Sequence, residues 1–195
     1  MNKIPGLDFY AVDFETANFN KNSACSIGIV RFIDGVEENS AYSLIKTPDS
    51  YFVKEWTDQI HHITYENVAD KPKFPAVWKN IIGPFIDENP KLPFVAHNAG
   101  FDMSVIKYTN LYYQIQFPHL HYFDSLAISR KVWPELKSHR LTSLAENFGI
   151  NYLAHNALED ARTCGILVNL ASECVQAKSV HDLLKKLKIQ MKILR

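Results

Sequence analysis

Asp13 and Glu15 stand two residues apart where the apolar run Phe9–Phe14 (FYAVDF) ends, and that spacing is the first sign of chemistry in the chain. In an extended strand, side chains two apart share a face at about 6–7 Å. Two carboxylates so placed repel by roughly 2–3 kcal/mol at an effective dielectric near 20. A divalent cation that favours hard oxygen ligands, Mg²⁺ or Mn²⁺, offsets that cost. A strand that simply ends in solvent is the other reading of the pair. A further acid, Asp102, closes the segment His97-Asn98-Ala99-Gly100-Phe101-Asp102 after a second apolar run. It stands where a strand hands over to a helix, the place where open α/β sheets gather ligand sites, although an Asp there can also cap the helix. The last segment is His155-Asn156-Ala157-Leu158-Glu159-Asp160. Asn156 can cap the next helix and place Glu159 and Asp160 in its first turn, where negative charge is favoured. His155, just outside the cap, can serve as a general base near neutral pH.

Each acid alone has an ordinary structural explanation. Together they form the set that two-ion phosphodiester hydrolysis needs. Asp13, Glu15, Asp102 and Asp160 would hold two ions about 3.5–4 Å apart, one activating a water and the other stabilising the leaving oxygen. His155 would take the water's proton.

The elements that must position these residues can be read from pattern. Short apolar runs at Phe9–Phe14, Cys25–Ile33, Ser40–Ile45, Pro93–His97 and His121–Asp124 predict five strands. The Ile33-Asp34-Gly35 turn makes a hairpin of the second and third. Helical spacing covers Phe74–Glu88, with a kink expected at Pro84, and Asp102–Ile115. Further helices run through Trp133 to a stop at Pro134, over Leu141–Phe148 to Gly149, and from about Ala157 to Val175. Strands first, then alternating helices and strands, predict an α/β fold with a mixed five-stranded sheet flanked by helices. In the tail, Ser179 with Asp182 begins a short helix through Leu187. Leu187, Ile189, Met191 and Ile193 then alternate with polar residues, which favours an extended segment pairing with a sheet edge. The tail's five lysines and one arginine from Lys178 onward read as a solvated basic edge before a phosphate contact.

Bulk composition sets limits. The 195 residues are 47% hydrophobic, enough for one sizeable core. Formal net charge is zero, so nucleic acid would have to be drawn by a local patch or by bound metal. No stretch approaches the roughly 20 apolar residues of a membrane span, and Met1–Asp8 lacks the apolar region of a signal peptide. Cys25, Cys164 and Cys174 show no CxxC spacing; buried free thiols in a reducing cytoplasm are expected.

The motifs, in their order, resemble the DEDDh exonuclease superfamily, which includes the epsilon proofreading subunit of bacterial DNA polymerase III and its stand-alone relatives. VDFETA (Val12–Ala17), AHNAGFD (Ala96–Asp102) and HNALEDA (His155–Ala161) carry the likeness. The His-x4-Asp spacing marks the histidine subtype rather than the tyrosine one. IHHITYENVADKP (Ile60–Pro72), YFDSLAISRKVWP (Tyr122–Pro134) and RLTSLAENFGI (Arg140–Ile150) extend it over about Asp8 to Val175.

The resemblance implies a ribonuclease-H-like fold, two Mg²⁺ or Mn²⁺ ions, and a 3′–5′ exonuclease. Such an enzyme would release nucleoside monophosphates from the 3′ end of single-stranded or frayed nucleic acid, with DNA expected ahead of RNA. By position, Asp13 bridges both ions, Glu15 and Asp160 complete the nucleophile-side site, Asp102 supports the second ion, and His155 activates the water. Backbone amides near Thr16 and Ala17 would meet the terminal nucleotide. Phe101 would stack on a frayed base, a contact worth about 1–3 kcal/mol. Asn98 and His62 join the substrate-binding residues, while His61 is given an ordinary loop role. Residues 1–176 form the expected exonuclease domain and 177–195 a basic extension. A free-standing nuclease is expected, and nothing in the sequence supports a polymerase partner. Two other readings stand beside it: a catalytically silent nucleic-acid- or protein-binding module, and an oligoribonuclease-like phosphodiesterase for very short RNA. The intact ligand set speaks against the first.

Overall fold

Side chains along β1 (Phe9–Thr16) alternate between two cores. Tyr10, Val12 and Phe14 enter one, Phe9 and Ala11 the other. Asp13 and Glu15 therefore continue the face that Phe9 and Ala11 begin. A computed structural model describes residues 2–116 and 119–195. The remaining strands are β2 (Ala24–Ile33), β3 (Val36–Leu44), β4 (Phe94–Ala96), β5 (Leu120–Asp124) and β6 (Lys192–Leu194). Among the described residues they form one mixed sheet of order β3-β2-β1-β4-β5-β6. Asp34 and Gly35 turn the β2–β3 hairpin with φ of 51° and 74°, the two positive values that a type I′ turn requires. β4 runs parallel to β1, and β5 parallel to β4, so the carboxyl ends of all three meet at one rim.

The sheet has six strands rather than five because the alternating tail takes the β5 edge. Leu194 pairs with Leu120 and Lys192 with Tyr122. Only Leu194 of that strand is buried; a charged, three-residue edge resists pairing with another chain.

Two short helices, α1 (Lys54–Gln59) and α2 (Tyr65–Val68), fall where the sequence shows no periodicity. The single helix expected over Phe74–Glu88 is broken into α3 (Phe74–Val77), a π-helical turn (Trp78–Ile82) and α4 (Gly83–Glu88). Pro84 has no N–H to continue the ladder. The Gly83 N–H reaches back five residues to the Trp78 carbonyl, and the expected kink takes this form. The others are α5 (Gly100–Tyr113), α6 (Ser125–Val132), α7 (Leu141–Asn147), α8 (Ala157–Cys174) and α9 (Val180–Leu187). Gly149 follows α7 with φ 65°, and the Ser179 hydroxyl accepts the Asp182 N–H at 3.1 Å to cap α9. Val180, Leu183 and Leu184 of α9 are buried in the core that α8 shares with the sheet. No described helix is long and apolar enough to cross a membrane. Cys25 and Cys164 are buried as expected; Cys174, in the last turn of α8, is exposed.

Helix α8 lies directly on β1 and β2. Gly28, the cross-strand partner of Asp13, makes that contact possible. A Cβ there would stand 2.3 Å from the Ala157 carbonyl carbon and oxygen and from the Leu158 nitrogen. All three are main-chain atoms of the first turn of α8, so no rotamer change relieves the clash. Gly28→Ala is expected to destabilise the fold by about 1–3 kcal/mol or more and to displace the helix start that carries Asp160. Denaturant unfolding measures it, and a midpoint equal to wild type would contradict the contact.

Candidate active site

Asp13 and Glu15 flank buried Phe14 near the carboxyl end of β1, still inside the ladder opposite Gly28 and Ser26. Neither is a frayed strand end, which removes the solvated-terminus reading. Asp102 is 2% exposed in the first turn of α5. It does not cap that helix. Its Oδ1 accepts the Phe14 N–H at 3.1 Å, tying the start of α5 to the strand that holds the other two acids. Asn156 caps α8 as expected, its Oδ1 accepting the Leu158 and Glu159 N–H groups at 3.2 and 3.3 Å. Asp160 is thereby fixed one turn in, 7% exposed. Glu159 turns away to Arg162, which also holds Glu37 on β3 at 2.7 Å. His155 is exposed, with φ 63°, a left-handed conformation uncommon outside glycine.

All five residues line one cavity of about 640 Å³. Glu15, His155 and Asp160 each bring a ligand atom within 4.8 Å of the other two; Asp13 and Asp102 lie in the same cavity outside that close group. Asn98 and Phe101 line it as well. Asn98 has φ 70° and donates its N–H to Asp124 Oδ1 at 3.0 Å. Phe101 carries the Lys21 ammonium 4.1 Å from its ring centroid. Three other expected substrate contacts fall elsewhere. Thr16 and Ala17 are buried and stand outside the cavity lining. The Ala17 N–H already bonds the Ser23 carbonyl at 2.9 Å, so it would have to break that bond to meet a nucleotide. His62 also stands outside, close to His155, with Nδ1 3.1 Å from the Thr57 carbonyl. His61 keeps its loop role, Nδ1 accepting the Ile63 N–H at 3.0 Å.

Burial, and then the charges of Asp102, Asp160 and Glu15, push the Asp13 carboxyl well above the usual range. Burial followed by Asp160 and Asp102 raises Glu15 to about 8. Burial raises Asp102 to about 8 and Asp160 to about 6. Four clustered carboxyls that resist ionising are a set awaiting positive charge, and hard divalent ions suit an all-oxygen group with one imidazole. A carboxyl whose pKa is higher folded than unfolded supports the fold below its unfolded value, 3.8 for Asp or 4.5 for Glu. That support is lost as pH rises through the folded value. The metal-free protein should therefore lose stability between about pH 4 and pH 8 as Asp160, then Glu15 and Asp102, ionise. Mg²⁺ at about 100 times its Kd adds roughly 2.7 kcal/mol, a rise in Tm of about 5–10 °C for a chain of this size. The rise should be larger at pH 8 than at pH 5, where protons compete. Thermal melts at both values with and without EDTA decide it; equal shifts would refute it.

Several lining residues escape the motif reading. His97 Nε2 donates to the His139 carbonyl at 2.8 Å, and its Nδ1 lies 2.9 Å from the Ser125 hydroxyl. Burial holds its imidazole below the ordinary value, in keeping with a neutral ring that donates through Nε2. Tyr152 sits beside Asp160, its phenol pushed up by burial and then by that carboxylate. The cavity is also lined by Arg130, Lys137, His139 and Arg140. The only sequence signal for them is the density of basic residues between Arg130 and Arg140.

The exonuclease family model (RNase_T) matches residues 10–168. The chain is similar to the 3′-5′ exonuclease DinG of Staphylococcus aureus, 32% identical over 187 residues, covering 93% of this chain and 20% of that protein. The DinG of a second strain is 31% identical over 186 residues, with the same coverage. The chain thus spans about a fifth of the length of these curated relatives. Among solved structures, Exonuclease X in complex with 5′ overhanging duplex DNA superposes with TM-score 0.71 at 20% identity, over 92% of this chain and 99% of that one. The nuclease domain of 3′hExo, a DEDDh family member bound to rAMP, gives TM-score 0.70 at 12% identity, over 95% and 96%. These likenesses establish the ribonuclease-H-like fold. With the family matched across most of its length and its motifs brought to one rim of that fold, the chain belongs to the RNase_T exonuclease family.

Proposed function

We propose that this chain is a 3′–5′ exonuclease that uses two Mg²⁺ or Mn²⁺ ions to release nucleoside monophosphates from the 3′ end of single-stranded or frayed nucleic acid, with DNA preferred. One observation supports it above the rest: Asp13, Glu15, Asp102, Asp160 and His155, drawn from β1, α5 and the start of α8, line a single cavity. Metal dependence belongs to the family. Asp13 would hold both ions, Glu15 and Asp160 would complete one site, and Asp102 would support the other. Bound there, the ions supply the Lewis acidity that activates a water and stabilises the departing 3′ oxygen. His155 accepts the water's proton. Its imidazole is held below the ordinary value by burial and then by His62, so it is neutral and able to do so at pH 7. Phe101 stacks on the terminal base, and Asn98 lies beside it on the same wall. Residues 1–176 form the catalytic unit and 177–195 a basic extension, a division supported by the family match ending at residue 168. The free thiols of Cys25, Cys164 and Cys174 suit a reducing cytoplasm.

The test uses DNA and RNA strands labelled at the 3′ or 5′ end, with and without EDTA. The 3′ label should leave at once as a mononucleotide, while the 5′-labelled strand shortens in steps. EDTA should stop both, and DNA should be degraded faster. Release of the 5′ label first, or cleavage that survives EDTA, would overturn the assignment.

A further inference from the structure

Charges of both signs line the cavity. Asp13, Glu15, Asp102 and Asp160 line it, and so do Arg130 from the last turn of α6 and Lys137 and Arg140 from the α6–α7 segment. The chain's other well-placed arginines are each spent on two carboxylates, Arg31 on Glu38 and Glu88, Arg162 on Glu37 and Glu159. Arg130, Lys137 and Arg140 form no ion pair among the described residues and are exposed.

The segment that carries them is held in place. His97 Nε2 bonds the His139 carbonyl at 2.8 Å, and His139 Nε2 bonds the Trp133 carbonyl at 3.0 Å. The Ser138 hydroxyl bonds that of Ser143 at 2.9 Å. Buried Trp133 packs on Phe148 with ring centroids 4.6 Å apart. These contacts fix the backbone of the segment, so little of its conformational freedom remains to be lost when a strand binds. His97 ties this segment to the acids, since it begins the segment that ends in Asp102.

The geometry points to Arg130, Lys137 and Arg140 as a binding track for the backbone phosphates of the strand upstream of the scissile bond, with His97 as the positioning residue that holds the track in the cavity of the carboxylates. This inference rests on the exonuclease reading and names the polymer contacts of that site. A chain of zero net charge has no general field to draw in a polyanion, and the acids by themselves repel one. Three cations in the same cavity, without an ion pair among the described residues, supply the local attraction. Backbone phosphates carry no sequence information, so the track serves strands of any sequence, in DNA or RNA.

The test compares wild type with Lys137→Gln/Arg140→Gln on a DNA 12-mer, an RNA 12-mer and the p-nitrophenyl ester of thymidine 5′-monophosphate. The ester keeps a terminal nucleotide and a leaving group but has no upstream phosphate. On the polymer that wild type degrades faster, the double variant should lose about tenfold more kcat/KM than on the ester, chiefly through KM. The slope of log KM against log salt concentration should fall by about 1.4 for two lost contacts to a single strand. Arg140→Glu should deepen the loss on the 12-mer. Equal losses on ester and polymer, or an unchanged salt slope, would overturn the track. Fluorescence anisotropy of a labelled 12-mer in EDTA reads the same contacts without turnover. Weaker, less salt-sensitive binding by the variant would uphold the track even if the exonuclease reading failed; identical binding would refute it.

Discussion

Asp13→Asn should lower release of a 3′-terminal nucleotide by roughly 10³-fold or more and at the same time leave the metal-free protein as stable as wild type or more so. The two effects share a cause. Asp13 lies among Asp102, Asp160 and Glu15, whose charges add to burial in opposing its ionisation. An amide of the same shape removes that opposition and so relieves the metal-free fold. It also removes the anionic oxygens that, in the proposed mechanism, would hold both ions, and with them the transition-state stabilisation those ions would provide. Gel assays of a labelled strand and thermal melts in EDTA measure the two sides. Near-wild-type hydrolysis by the purified variant would defeat the two-ion assignment, whatever its melting temperature.

His155→Ala should slow hydrolysis by about 10²–10⁴-fold, the usual worth of a positioned general base. The ring nitrogen lies within 4.8 Å of ligand atoms on Glu15 and Asp160, so His155 could instead act as a ligand, and the experiment has to separate the roles. If His155 takes the proton, excess Mn²⁺ will not restore the rate, and Mn²⁺ affinity measured by calorimetry will change little. Rate loss that saturating Mn²⁺ repairs would assign His155 to the ions. At saturating metal, wild type should also lose activity as pH falls through the imidazole's value, which lies below 6.5, because protonation removes the accepting nitrogen. The variant should lack that limb.

What the sequence made legible was local. The Asp13-Phe14-Glu15 alternation, the Asn156 cap and the hairpin turn at Asp34 and Gly35 follow from residue type and spacing alone, and each forms as read. The alternating tail signalled an extended segment, but only Lys192–Leu194 pairs with β5, Leu187 ends α9, and the buried residue is Leu194 rather than the Ile193 of the alternating stripe. The remainder depends on pairs far apart in the chain. His97 and the His139 carbonyl are 42 residues apart, and Asp102 and the Phe14 amide 88 apart; no period or motif records such meetings. The cationic lining was hidden for the same reason, since Arg130, Lys137 and Arg140 read as scattered surface charge until the fold brings them to the cavity that holds the acids. The exposure of Cys174 was missed because the helical stripe ends one turn before it.

The close approach at Gly28 bears on how finely the site is gauged. Asp13 and Glu15 ride on β1 and Asp160 on α8, and where α8 starts it meets Gly28 of β2, the residue paired with Asp13, with only backbone touching backbone. Their separation is therefore set by main-chain dimensions, which vary by tenths of an ångström, rather than by side chains that hop between rotamers. Ion coordination demands tolerances of that order, and the missing methyl group acts as the machinist's shim that sets them.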